Sequence, residues 1–147
     1  MGEKMKWKDI IYNKKDVLVY AYVCGDILHE GHLLQLENAK AMGDKLIVGV
    51  LTDAAVMEKK VKPIISFAQR MRLVQAVGVV DAVVPQDDYS PIPNVKSLGV
   101  DILMESASHI GNKYLDDLKD LDVRVIMTPY YPGQSSTDIK EKIKNGK

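Results

Sequence analysis

The chain has 147 residues, 46% of them hydrophobic, which suits one compact domain with a real core and leaves no room for a second. Its 20 basic and 20 acidic residues cancel, so no overall field draws it to nucleic acid or an anionic membrane, and any anion site must be local. A single cysteine excludes an internal disulfide, no apolar run approaches the roughly 20 residues of a membrane span, and no signal-peptide core is present, so a cytoplasmic location is expected.

Residues 1–15 are lysine-rich, with Trp7, Ile10, Ile11 and Tyr12 as apolar anchors. They read as an N-terminal extension, a short helix on the body or at a subunit contact, leaving 16–147 as the main domain. An apolar run over 17–23 predicts the first strand. A turn follows, Cys24-Gly25-Asp26-Ile27-Leu28-His29-Glu30-Gly31-His32, and then a helix carrying Leu33, Leu34, Leu36, Ala39, Ala41 and Met42, with Gly43 as its C-terminal cap. Residues 46–51 are β-branched and continuous, as a buried parallel strand should be, with Asp53 just past the end. The basic segment 57–63 closes on Pro63 and reads as a loop. Ser66 caps a helix that spaces Phe67, Met71, Val74 and Val77 on one side, with Arg70 and Arg72 among them. A third strand is predicted over 79–85, a polar loop over 86–93, a short helix ending near Gly99, and a fourth strand over 100–104. A helix over 114–119, a fifth strand over 123–127 and a final helix over 135–144 complete the chain.

Strands alternating with helices imply an α/β domain: a five-stranded parallel sheet, right-handed crossovers and helices on both faces. Ligands of such sheets sit beyond the strand C-termini. That rule gathers the histidine turn, Asp53, the lysine loop, the loop at Glu105 and the loop 132–137 along one edge.

The histidine turn sits at a helix start, where amide NH groups and the helix dipole favour an anion. His29 and His32 share a helix face if the helix begins by His29. The His-Glu-x-His spacing misses the zinc-protease motif by one residue, which excludes that chemistry on geometry. Cys24, His29 and His32 as a metal site, two histidines that only cap and pack, and phosphate handling remain three readings of the same turn. Lys59, Lys60 and Lys62 are either a solvated charge run or a basic loop that closes on a triphosphate and neutralises the charge of departing pyrophosphate. Arg70 offers a planar fork for phosphate, or forms a surface ion pair. Gly133, Ser135, Ser136 and Thr137 open a second anion-competent helix start, for which simple capping is the alternative. Asp26 and Asp53 would repel a polyphosphate unless a Mg²⁺ ion is shared with it.

The run from Asp26 to His32 resembles the HxGH signature of the nucleotidyltransferase superfamily, and its surroundings look like the cytidylyltransferase branch. The similarity extends through Gly43-Asp44, Leu51-Thr52-Asp53, the segment from Lys62-Pro63 to Arg70, Val80-Asp81, Val84-Pro85 and Ser135-Ser136-Thr137. It covers nearly everything after Lys15, with likeness to glycerol-3-phosphate cytidylyltransferases, to modules of phosphonate biosynthesis and to archaeal FAD synthases. The resemblance implies a Rossmann-like domain and a homodimer. It also implies transfer of CMP from CTP, with Mg²⁺, to a small phosphorylated alcohol or a phosphonate; adenylyl transfer from ATP and a non-catalytic nucleotide-binding regulator are the alternatives. By motif, His29 and His32 would contact the transferring phosphoryl group, while Lys59, Lys62 and Arg70 would hold triphosphate or acceptor. Cys24, Gly25, Asp26, Gly31, Glu105, Gly133, Ser135, Ser136 and Thr137 would line the nucleotide and phosphate sites, with Asp26 and Asp53 nearest the metal.

The chain departs from the family pattern at Cys24, where a hydroxyl residue is usual, at Tyr130, in place of a motif arginine, and at Glu105-Ser106, in place of Gly-Asp. These positions bear on which nucleotide is used more than on the reaction.

Overall fold

The computed structural model describes residues 6–11, 15–106, 118–128 and 136–146. Its elements in chain order are α1 (Trp7–Ile11), β1 (Leu18–Val23), α2 (Glu30–Ala41), β2 (Lys45–Leu51), α3 (Asp53–Met57), α4 (Phe67–Gln75), β3 (Ala82–Gln86), α5 (Ile92–Leu98), β4 (Ile102–Ser106), β5 (Arg124–Thr128) and α6 (Ser136–Lys144). The strands form one all-parallel sheet in the order β3-β2-β1-β4-β5. The α/β, Rossmann-like expectation therefore holds. No described helix is long and apolar enough to cross a membrane.

Alternation along β1 divides the core. Leu18, Tyr20 and Tyr22 face one layer with Ile10, Val56, Ile92, Val95 and Leu98, while Val19, Ala21 and Val23 face another with Leu36, Ala39 and Val74. Helices α1, α3 and α5 thus cover one side of the sheet, and α2 and α4 the other. Ile10 is fully buried, so α1 belongs to the first layer. Helix α2 buries Gly31, Leu36 and Ala39 and leaves Leu33 and Leu34 partly exposed, as is Met42 just beyond it.

Several boundaries differ from the sequence expectation for physical reasons. The third strand starts at Ala82 because Val80 closes a turn on Val77 and Asp81 is spent on the start of β2. It runs on through Gln86, paired with Leu51, where a loop is expected. Helix α5 tolerates Pro93 because proline in a first turn gives up an amide that has no helical acceptor. Gly43 does not end α2 as a left-handed cap: the cap is Met42, and Gly43 is needed because a Cβ there would meet Val19 Cγ2 at 2.7 Å and the Val17 carbonyl at 2.8 Å. The helix expected over 114–119 falls mostly outside the described residues.

Aspartates pin the strand starts. Asp44 accepts the Val17 amide (2.7 Å), Asp101 the Leu18 amide (2.8 Å) and Asp81 the Leu46 amide (2.8 Å), and Lys40 pairs with Asp81 at 2.6 Å. At the other end the chain moves outward from β1 to β2 and β3, then crosses to β4 and β5. The order reverses between β1 and β4, and the crevice beyond their C-termini is the expected ligand position.

Within the first core layer the Tyr20 hydroxyl donates to Gln86 Oε1 and accepts from Asn94 Nδ2 at 3.0 Å, while Gln86 Nε2 reaches the carbonyls of Asp88 and Tyr89. Gly49 makes room for this network, because a Cβ there would lie 1.9 Å from the Tyr20 hydroxyl. Gly49→Ala should therefore cost about 2 kcal/mol by overpacking. Denaturant unfolding would measure it, and a loss near zero would show that the network yields freely.

Candidate active site

The turn after β1 ends in an unusual helix cap. His29 is the N-cap of α2, and its Nδ1 accepts the Gly31 amide at 3.1 Å; His32 reaches back, and its Nδ1 accepts the His29 amide at 3.2 Å. This is a capping box with imidazoles in place of the usual hydroxyl and carboxylate. Two amides that would otherwise be available to phosphate are consequently taken by the rings, which become the groups facing the ligand edge.

The box fixes the chemistry of both rings. An Nδ1 that accepts carries no proton, so each neutral imidazole holds its hydrogen on Nε2 and is a donor there. Burial lowers the His29 pKa. Burial, then the His29 ring and Lys60, bring His32 down to about 4. The rings lie 4.0 Å apart between centroids. His29 Nε2 is a buried side-chain nitrogen with no hydrogen-bond partner among the described residues. A buried donor without an acceptor is costly and marks a place for a ligand oxygen.

Arg70 is fully buried, not aimed outward as a phosphate fork. Its guanidinium donates to the carbonyls of Ile65 (3.1 Å), Cys24 (2.7 Å) and Leu51 (2.6 Å) and to Asp53 Oδ1 (2.6 Å). The expected phosphate contact is thereby corrected: Arg70 braces the strand ends beneath the site. Gly25 is required beside it, with φ +74° and Val74 Cγ2 3.1 Å from where a Cβ would be. Cys24 is half-buried, and burial pushes its thiol up against the opposing pull of Arg70, so it stays a thiol.

Both aspartates already have partners within the fold. Asp26 Oδ1 accepts the Ile65 amide at 2.8 Å, Oδ2 accepts the Ile64 amide at 3.1 Å, and Lys140 of α6 pairs with Oδ2. Burial alone would raise this carboxyl, but the Ile65 amide, Lys140 and the Ile64 amide hold it below its ordinary value. Asp53 starts α3 and pairs with Arg70. No group of three or more His, Cys, Asp or Glu among the described residues could hold a metal.

Lys59, Lys60 and Lys62 are exposed on a loop tied at both ends: the Lys59 and Lys60 amides close on Val56, and the Ile64 and Ile65 amides on Asp26. Lys60 is the one whose charge is felt at His32. Glu105, the last residue but one of β4, is fully buried and accepts from the Tyr22 hydroxyl at 2.8 Å and 2.9 Å, so it braces the crevice between β1 and β4. Tyr89 adjoins it, its pKa raised by burial and then by Glu105 and Cys24. Gly133 and Ser135 lie outside the described residues, and so do the side chains of Ser136 and Thr137; the backbone of these last two opens α6. Lys140 was not among the expected site residues, although its i, i+4 spacing from Ser136 puts both on one helix face.

An α/β sheet with a histidine-capped helix at its switch point defines a nucleotide-binding class of protein. A sequence model of the family described as Cytidylyltransferase-like matches residues 23–142, and the chain belongs to that family of nucleotidyltransferases. The Bifunctional protein HldE of Campylobacter fetus subsp. fetus is 36% identical over 129 residues, covering 86% of this chain and 28% of that protein. The chain spans less than a third of the length of such curated relatives. Among solved structures, a lipopolysaccharide core biosynthesis protein from Thermoplasma volcanium GSS1 superposes with TM-score 0.72 at 23% identity, over 79% of this chain and 98% of that one. A Vibrio parahaemolyticus protein provisionally named a nicotinate-nucleotide adenylyltransferase gives TM-score 0.59 at 15% identity, over 88% of each chain. These two likenesses show the fold.

The low histidine pKa has a consequence for stability. Between the ordinary 6.5 and about 4, the unfolded chain takes up a proton at His32 that the folded chain refuses. Stability should therefore be full above pH 6.5 and fall as the pH drops toward 4. His32→Gln keeps an N3 group able to reach the His29 amide but cannot titrate, so its unfolding free energy should decline less over that window in pH-stepped urea titrations.

Proposed function

We propose that the chain transfers a nucleoside monophosphate from ATP to a phosphorylated sugar and releases pyrophosphate. The observation that carries nucleotidyl transfer is the pair of neutral, tautomer-fixed imidazoles at the start of α2, with one Nε2 buried and unsatisfied. ATP as donor and a sugar as acceptor are the reading taken from the names of the two proteins that share the fold, a provisionally named adenylyltransferase and a lipopolysaccharide core biosynthesis protein. The second reading, CMP transfer from CTP to a small phosphorylated alcohol or a phosphonate, is favoured by the description of the family itself.

The chemistry is the same in both readings. An oxygen of the acceptor phosphate bonds to the α-phosphorus, the bond from that phosphorus to the bridging oxygen breaks, and the electron pair leaves with pyrophosphate. The attacking oxygen is already ionised, so no general base is needed, and catalysis reduces to positioning and charge stabilisation. The Nε2 hydrogens of His29 and His32 donate to the oxygens of the transferring phosphoryl group. Lysines of the 59–62 loop neutralise the pyrophosphate as it departs.

Pyrophosphate release measured with ATP or CTP, against sugar phosphates, glycerol phosphate and a phosphonate, tests the reading. Turnover is expected with ATP and a sugar phosphate; CTP-only turnover establishes the second reading, and binding without turnover defeats both. His29→Ala and His32→Ala should each lower kcat by about 100-fold or more, as loss of a preorganised donor does. Undiminished activity in both variants defeats the mechanism. Since His32 in the free protein stays neutral well below pH 6, wild-type kcat/KM should show no inflection from that ring near pH 6.5.

A further inference from the structure

Asp26 is the meeting point of three segments remote in sequence. Its side chain is 2% exposed, and it binds the Ile64 and Ile65 amides that end the lysine loop and the ammonium of Lys140, 114 residues away on α6. The turn that carries Asp26 also carries His29. Both the basic loop and α6 are thus moored to the histidine turn through one buried carboxylate.

We propose that Lys140 and Asp26 are a positioning pair that docks α6 and the lysine loop together onto the histidine turn, so that a triphosphate meets both arms already in place. The inference rests on the nucleotidyl-transfer reading. An exposed ion pair contributes little, but a carboxylate this deeply buried depends on every donor it has, and loss of Lys140 leaves its charge undercompensated. With the pair intact, the ordering of the two arms is complete before nucleotide arrives; without it, nucleotide binding must supply that ordering. The deficit therefore falls on affinity for the triphosphate. Lys140 touches no reacting atom and positions those that do.

Lys140→Ala and Lys140→Arg, assayed below the melting transition of each, test the proposal. Lys140→Ala should raise KM for the triphosphate about tenfold while kcat falls less than about threefold, and Lys140→Arg should restore most of the loss. Asp26→Asn, which keeps an oxygen acceptor but drops the charge, should raise KM likewise. An unchanged KM in Lys140→Ala overturns the proposal, and so does a fall in kcat alone. Hydrogen exchange without nucleotide reads the coupling independently: in Lys140→Ala the amides of both α6 and the 60–65 loop should exchange faster. Unaltered exchange in the loop overturns the coupling. If wild-type protein releases no pyrophosphate, the functional reading fails while this exchange result still decides the mooring.

Discussion

The guanidinium of Arg70 is the constraint on which the rest of the site depends. A fully buried arginine survives only where its charge and most of its donors are paired, and here the partners are the carbonyls of Cys24, Leu51 and Ile65 together with Asp53. Those residues are the ends of β1 and β2, the end of the lysine loop and the start of α3. In an open parallel sheet the strand ends splay into loops whose carbonyls have no sheet partner. Arg70 gathers them and so fixes the base from which the histidine turn rises. Gly25 follows from the same constraint, because the turn passes so close to α4 that a side chain would press on Val74.

Above that base the site is built from neutral donors and exposed cations, kept apart. The imidazoles are held uncharged by burial and held in one tautomer by the capping box, so they present hydrogens without competing for protons near neutrality. Positive charge resides on the exposed lysines of the loop between α3 and α4. A protonated histidine pair would repel itself across 4.0 Å and would bind any anion indiscriminately.

The parallel sheet was legible because its strands are continuous apolar runs punctuated by glycine and proline, and their order follows from chain connectivity. The histidine turn was legible because two imidazoles flank a glycine at a strand-to-helix junction. Direction was harder to read. Nothing local tells that Arg70 points inward to carbonyls and not outward to phosphate, since the residues that claim it come from three other segments. The partners of Asp26 were hidden for the same reason: nothing near it in sequence shows that its carboxylate accepts the amides of Ile64 and Ile65. Lys140 lacked any signal stronger than its helical register with Ser136. Exposure of Leu33 and Leu34 likewise depends on which side of α2 meets the sheet, and their apolar character alone does not give that.

The aspartates at the opposite edge carry a different implication. Asp44, Asp81 and Asp101 fasten the starts of β1 and β2 with side-chain bonds that share no atom with the ligand edge. Folding is therefore secured at one pole of the sheet and chemistry is performed at the other. Such a division gives the fold evolvability: the working pole, where Cys24 and Glu105 already depart from the family pattern, can be rewritten toward a new nucleotide or acceptor while the strand register is kept from below.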